Sequence, residues 1–177
     1  MPTDRQTKAA SRLRKESVPL DPLDVRLLAL LAQEPRQSNA ELARRLGVSA
    51  PTARERLRRL EESGVIRGYH VDIDPAAVGL PTAAWVRLRP GPGQLSRIAE
   101  LAERTPEVTE CHRISGEDCF LMRVQVPAIA DLETILDRFL VHGQTTSSFV
   151  VSSPVPPRPV PLPDDSRLGH PGDGARP

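Results

Sequence analysis

The chain has 177 residues, 38% of them hydrophobic and 19 of them proline; that length admits one large domain or two small ones, and the make-up points to folded segments flanked by tails. Its formal net charge of +1 divides unevenly, with +3 on residues 1–19, +2 on residues 20–70 and −4 on residues 71–177, so a nucleic-acid partner is expected on the first 70 residues. No run approaches the ~18 apolar residues of a membrane span and residues 1–15 offer no signal-peptide core, which excludes membrane function and predicts a cytoplasmic protein.

In chain order, residues 1–19 lack an apolar period and read as a flexible basic arm. Asp21-Pro22 then supplies a helix cap and a first-turn proline, with Asp24 favourable near the positive end of the helix dipole. Leu23, Leu27, Leu30 and Leu31 form an amphipathic stripe that stops near Glu34-Pro35. Ser38 and Glu41 make an S-x-x-E capping box for a second helix that carries Leu42, Ala43 and Leu46 inward and ends at Gly47. Ser49 caps a third, with Ala53, Leu57 and Leu60 at i, i+4 and i+7 and a stop at Ser63-Gly64. Val65-Ile66 through Tyr69, alternating on to Ile73, predicts a β-ribbon. Three helices and a ribbon are the winged-helix order, giving a DNA-binding domain over residues 20–72.

Residues 73–81 read as a linker punctuated by Pro75, Gly79 and Pro81. Beyond it, Ala84, Val86 and Leu88 alternate with Trp85, Arg87 and Arg89, the period-two mark of a strand with one buried face. A turn at 90–93 leads to a helix through Leu95, Ile98, Ala99 and Leu101. A strand over 107–115, a tight turn at 116–118 and a strand over 119–126 follow. A helix carrying Leu132, Ile135, Leu136, Phe139 and Leu140 precedes a last strand over 145–151. The order is β-α-β-β-α-β, a ferredoxin-like α+β domain over residues 82–162 with both helices on one face. An uncovered sheet face of this kind is expected to bury itself against a second copy. Residues 152–177 hold eight prolines, and 163–177 read as a disordered tail.

The sharpest signal lies in the second and third helices. Ala43, Gly47 and Ala53 are small where two helices must cross closely, the packing that presents a recognition helix to a DNA major groove. With Ala53, Leu57 and Leu60 inward, the outward arc of the third helix holds Pro51, Thr52, Glu55, Arg58 and Arg59, flanked by Arg54 and Arg56. Guanidinium groups fork onto phosphate oxygens or guanine edges. Ser49, Thr52, Arg54 and Glu55 are expected nearest the bases, and Arg58, Arg59 and Arg67 nearest phosphates. Arg56 is the member that an intradomain pair would claim.

These residues resemble a known family. "ELA", "LGVS", "RLRRLE", "GVIRGY" and "DPAAVGL", in that order, look like the DNA-binding half and hinge of the Lrp/AsnC (leucine-responsive/asparagine-type) transcriptional regulators, and the resemblance runs through "SGEDCFLMRV" and "HGQTTSSFVV" to about Leu162. It implies homodimers built through the C-terminal domain, often assembled into tetramers or octamers, and amino acids or related metabolites bound between dimers. The family's effector site is similar in position to the turn Gly116, Glu117, Asp118 and to a loop at Gln144, Thr145, Thr146, Ser147. Tight-turn N–H groups can hold a carboxylate, and Asp118 and the hydroxyls an amine. Many members place the acidic residue one position later, where this chain has Cys119.

Two other functions weigh less. Cys111, His112 and Cys119 suggest a metal, but a hairpin turn at 116–118 sets the cysteines about 10–13 Å apart along the strands, too far for shared coordination or an intrachain disulfide; no metal and no cofactor is expected. No nucleophile, base and oxyanion set converges, so an enzyme is not expected. The alternative is a haem-biosynthesis decarboxylase, which is similar to the family in both domains and would direct basic and His side chains (His112, His142) into a tetrapyrrole cleft. The arginine-rich third helix, which such an enzyme does not need, favours a DNA-binding regulator.

Overall fold

The computed structural model describes residues 18–163; the arm and the terminal tail fall outside these residues except at their inner edges. The described residues divide into two compact units, one ending at His70 and one spanning Val71–Pro156, with residues 157–163 grouping with the first.

The first unit holds α1 (Pro22–Gln33), α2 (Asn39–Leu46) and α3 (Ala50–Glu62). Asp21 accepts the Asp24 N–H at 2.8 Å, and Asp24 accepts the Asp21 N–H at 3.1 Å, so two of the orphan donors at the start of α1 are satisfied reciprocally. Ser38 accepts the Glu41 N–H at 3.2 Å at the head of α2. The predicted box there is half formed: the Glu41 carboxylate goes to the guanidinium of Arg44, one turn on, instead of back to Ser38. Gly47 ends α2 at φ 72°, a left-handed conformation that costs a residue with a Cβ. Leu27, Leu31, Leu42, Leu46 and Leu60 close into one buried cluster, with Leu57 and Ile66 packed against it. Each fully buried leucine contributes about 1.5–3 kcal/mol. Ala43 and Ala53 are also buried.

The predicted ribbon is corrected. Residues 65–73 form no strand among the described residues. Tyr69, Val71 and Ile73 keep a period of two but are all exposed. A strand needs a ladder partner as well as alternation, and among the described residues the backbone ladders are those of the C-terminal sheet. The linker contains a single 3₁₀ turn, Ala76–Val78.

The second unit contains β1 (Thr82–Pro90), α4 (Leu95–Glu103), β2 (Val108–Arg113), β3 (Phe120–Val126), α5 (Ile129–Leu140) and β4 (Gly143–Phe149). The sheet is antiparallel, in the order β2-β3-β1-β4. This is the predicted arrangement, with β4 beginning and ending two residues earlier than expected. Gly143 explains its start: a Cβ there would sit 2.2 Å from the Arg89 carbonyl oxygen, so only glycine lets β4 close onto β1. One sheet face, through Ala84, Val86, Leu88, Phe120, Met122, Val124 and Val126, buries Ile98, Leu132, Ile135 and Phe139 of the two helices. Trp85, Arg87 and Arg89 stand on the opposite face, as alternation dictates.

Candidate nucleic-acid interface and effector turn

In the first unit, α3 begins at Ser49, whose hydroxyl accepts the Thr52 N–H at 3.3 Å and meets the Thr52 hydroxyl at 2.8 Å. Pro51 occupies the first turn, where its missing N–H costs nothing. Ala53 and Leu60 turn into the core, leaving Pro51, Thr52, Arg54, Glu55, Arg58 and Arg59 exposed. The helix runs on to Glu62, so Glu61 and Glu62 belong to it and its four arginines face three glutamates, a net charge of +1.

The four guanidinium groups have different tasks. Arg54 is exposed and, like Arg67, has no ion-pair partner among the described residues. Arg58 is held on the surface between Glu55 (Nη2–Oε1 2.6 Å, Nε–Oε2 3.1 Å) and Glu62 (Nη1–Oε1 2.6 Å). The Arg58 hydrogen bond holds the Glu55 carboxyl below its usual range, and the two carboxylates hold the Arg58 guanidinium above its own.

Arg56 and Arg59 turn to α1 instead. Arg56 Nη1 lies 2.5 Å from Asp21 Oδ2 and 2.8 Å from Asp24 Oδ1, and Arg59 Nη2 meets Asp24 Oδ2. Burial alone would raise the Asp21 carboxyl, but the Arg56 guanidinium and the Asp24 N–H outweigh it and leave it below the usual range. Arg56 is raised, chiefly by the Asp21 hydrogen bond. Sequence reasoning had set both arginines toward DNA and had foreseen an internal pair for Arg56 alone. It missed the partner, Asp24, because a buried carboxylate 32 to 35 positions away leaves no local pattern.

Tyr69, just beyond α3, donates to Glu61 at 2.9 Å. Burial, and then the Glu61 carboxylate, push its phenol up to about 12.

In the second unit, the turn at Gly116, Glu117 and Asp118 joins β2 to β3, with Gly116 at φ 105°. Its acidic side chains are claimed by β1. Arg89 lies 2.6 Å from Glu117 and 3.5 Å from Asp118, and Arg87 lies 3.9 Å from Asp118. Gln144, Thr145, Thr146 and Ser147 do not form a loop; they are in β4. Gln144 pairs opposite Arg89 and Thr146 opposite Arg87, so those two share the open face with the turn's partners. Thr145 and Ser147, opposite Leu88 and Val86, stand on the helix-covered face. The structure thus gathers Glu117, Asp118, Arg87, Arg89, Gln144 and Thr146. Alternation alone put the two arginines on the open face; their reach to the turn needs the β1–β3 register.

Cys111 pairs opposite Met122, while the Cys119 thiol donates to the Gly116 carbonyl at 3.3 Å; both thiols are free. Among the described residues no helix is long and apolar enough to cross a membrane.

Residues 20–67 match the winged helix-turn-helix DNA-binding family, and residues 83–160 match the Lrp/AsnC ligand binding domain. The chain is 37% identical to the HTH-type transcriptional regulator LrpA of Mycobacterium tuberculosis over 137 residues, 76% of this chain and 91% of that one. Among solved structures it is similar to Bacillus subtilis LrpC, with a TM-score of 0.73 and 26% identity over 76% of this chain and 96% of that one. It is also similar to the feast or famine regulatory protein of M. tuberculosis complexed with L-methionine, with a TM-score of 0.76 and 33% identity over 81% and 99%. Both halves match regulators rather than the decarboxylase alternative. With the helix-turn-helix, the antiparallel sheet and these likenesses together, the chain belongs to the Lrp/AsnC family of transcriptional regulators.

Proposed function

We propose that this regulator binds double-stranded DNA through α3 and responds to an amino acid held at the β2–β3 turn of its C-terminal domain. The observation that carries the reading is the division of labour on α3: leucine and alanine inward, two guanidiniums held against α1, and Thr52, Arg54, Glu55 and Arg58 outward. Residues near Ser49 then lie at the base edges, while Arg58 and Arg67 serve phosphates. Arg58 exchanges its two exposed carboxylates for phosphate oxygens, a swap of weak surface pairs.

The effector class rests on the solved regulator complexed with L-methionine and on the mixed charge of the turn. Arg87 and Arg89 offer donors to a carboxylate, while Glu117 and Asp118 offer acceptors to an ammonium group. The open sheet face that carries Trp85 is the surface on which a second copy would lie, giving a homodimer and, between dimers, a tetramer or octamer. An effector bound there shifts assembly only by as much as it prefers one state over the other.

The test is selection of duplexes from a random pool by the purified protein, with light scattering in the presence and absence of L-methionine and the other amino acids. Enrichment of a pseudo-palindromic duplex, and a change of mass with one amino acid class, are the expected results. Enrichment of no duplex would overturn the DNA-binding reading, and an unchanged mass and unchanged DNA affinity with every amino acid would overturn the effector reading.

A further inference from the structure

The Asp21, Asp24, Arg56, Arg59 cluster calls for an account beyond stability. The Asp24 side chain is fully buried, and both of its oxygens are engaged, by Arg56, by Arg59 and by the Asp21 N–H. A buried carboxylate is costly to desolvate, and an apolar residue of similar volume often serves stability as well or better. What an apolar residue lacks is direction. Hydrogen bonds from two arginines one turn apart on α3 to one carboxylate on α1 fix the rotation of α3 about its own axis, whereas leucine packing tolerates small rolls.

On the DNA-binding reading given above, we propose that Asp24 is a positioning residue for sequence recognition, supported by Asp21. It turns Arg56 and Arg59 toward α1, so that the arc from Thr52 through Arg54 and Glu55 meets the bases at one setting. The cluster also withholds two positive charges from the phosphates: two arginines against two aspartates sum to zero. Specificity is thereby favoured over sequence-neutral attraction, because phosphate contacts bind all sequences alike.

The probes are a duplex enriched by the wild-type protein from a random pool and poly(dI-dC) as sequence-neutral competitor, each titrated over a range of salt. In Asp24→Asn the cluster carries +1. The affinity ratio of selected duplex to competitor is expected to fall about tenfold, comparable to losing the discrimination of one base contact. The salt slope for the competitor is expected to steepen by about one. A purely structural role would lower both affinities together with the folded fraction and leave both slopes alone; that result overturns the proposal. Asp21→Asn is the second variant, since asparagine caps a helix as well as aspartate and the Asp21 side chain is 43% exposed. It is expected to move the ratio and the slope in the same directions, and a folded Asp21→Asn protein with both unchanged overturns the proposal even if Asp24→Asn fails to fold. A wild-type protein that enriches no duplex would sink the DNA-binding reading and this inference with it, whereas enrichment by wild type with unaltered variants sinks the inference alone.

Discussion

Arg89 Nη2 lies 2.6 Å from Glu117 Oε2, so a central strand of the C-terminal sheet holds the turn that joins two others. Both side chains are at least half exposed, and such pairs contribute at most about 1 kcal/mol to stability. The link matters more for charge. Arg89→Ala leaves Glu117 and Asp118 facing Gln144 and Thr146 with one fewer cation to meet a ligand carboxylate. Urea unfolding should change by less than about 1 kcal/mol, while, on the effector reading proposed above, affinity by calorimetry for the amino acid that alters mass or DNA binding should fall about tenfold. Unchanged affinity would remove this turn from the effector site.

Tyr69 is the sole tyrosine of the chain, which makes its titration directly visible in ultraviolet absorbance. Burial and Glu61 hold its folded value at about 12 against an ordinary 10.0. A raised value means that the neutral phenol stabilises the fold fully below the unfolded value, and that this contribution is lost as the pH rises through the folded one. Glu61→Gln should bring the midpoint back toward 10, and a wild-type midpoint already at 10 would contradict the contact.

Asp21 titrates with the opposite sign. Its folded value lies below the ordinary 3.8, so its contribution is present above the unfolded value and is lost as the pH falls through the folded one. Acid unfolding of the first unit, followed by circular dichroism, should therefore begin at higher pH in Arg56→Ala, which removes the Asp21 and Asp24 partner. Coincident acid limbs would show that the pair does not bear on stability.

The two units have separate cores, one centred on Leu60 and one on Phe139. Both side chains are fully buried. Leu60→Ala should cost about 2–5 kcal/mol and Phe139→Ala about 3–5 kcal/mol, each lowering one transition in scanning calorimetry and leaving the other in place. A single transition displaced equally by both variants would show that the units unfold as one.

How far the sequence carries the fold depends on the range of each interaction. The leucine stripe of α1, the caps at Ser38 and Ser49, the stop at Gly47 and the alternation from Ala84 to Leu88 are all settled within one or two turns of chain, and they were legible. Longer-range choices were not. Residues 65–73 alternate without a partner strand among the described residues, and the phase of β4 is set by Gly143 meeting the Arg89 carbonyl. The candidate sites divide in the same way. The outward face of α3 follows from helical periodicity, but the buried Asp24 that claims Arg56 and Arg59 is visible only once α1 and α3 are packed. Gln144 to Ser147 looked like a polar loop because hydroxyl side chains suit turns as well as edge strands; the β1–β4 register separates them onto two faces.

Of all measurements, the salt dependence of DNA binding by the Arg54→Ala, Arg58→Ala double variant bears most directly on α3 as the reading element. Measured on a duplex enriched by the wild-type protein, the account predicts an affinity lower by about a hundredfold and, since Arg58 is the phosphate contact of the two, a slope of log K against log salt shallower by about one. An affinity and a slope both equal to the wild type's would contradict it.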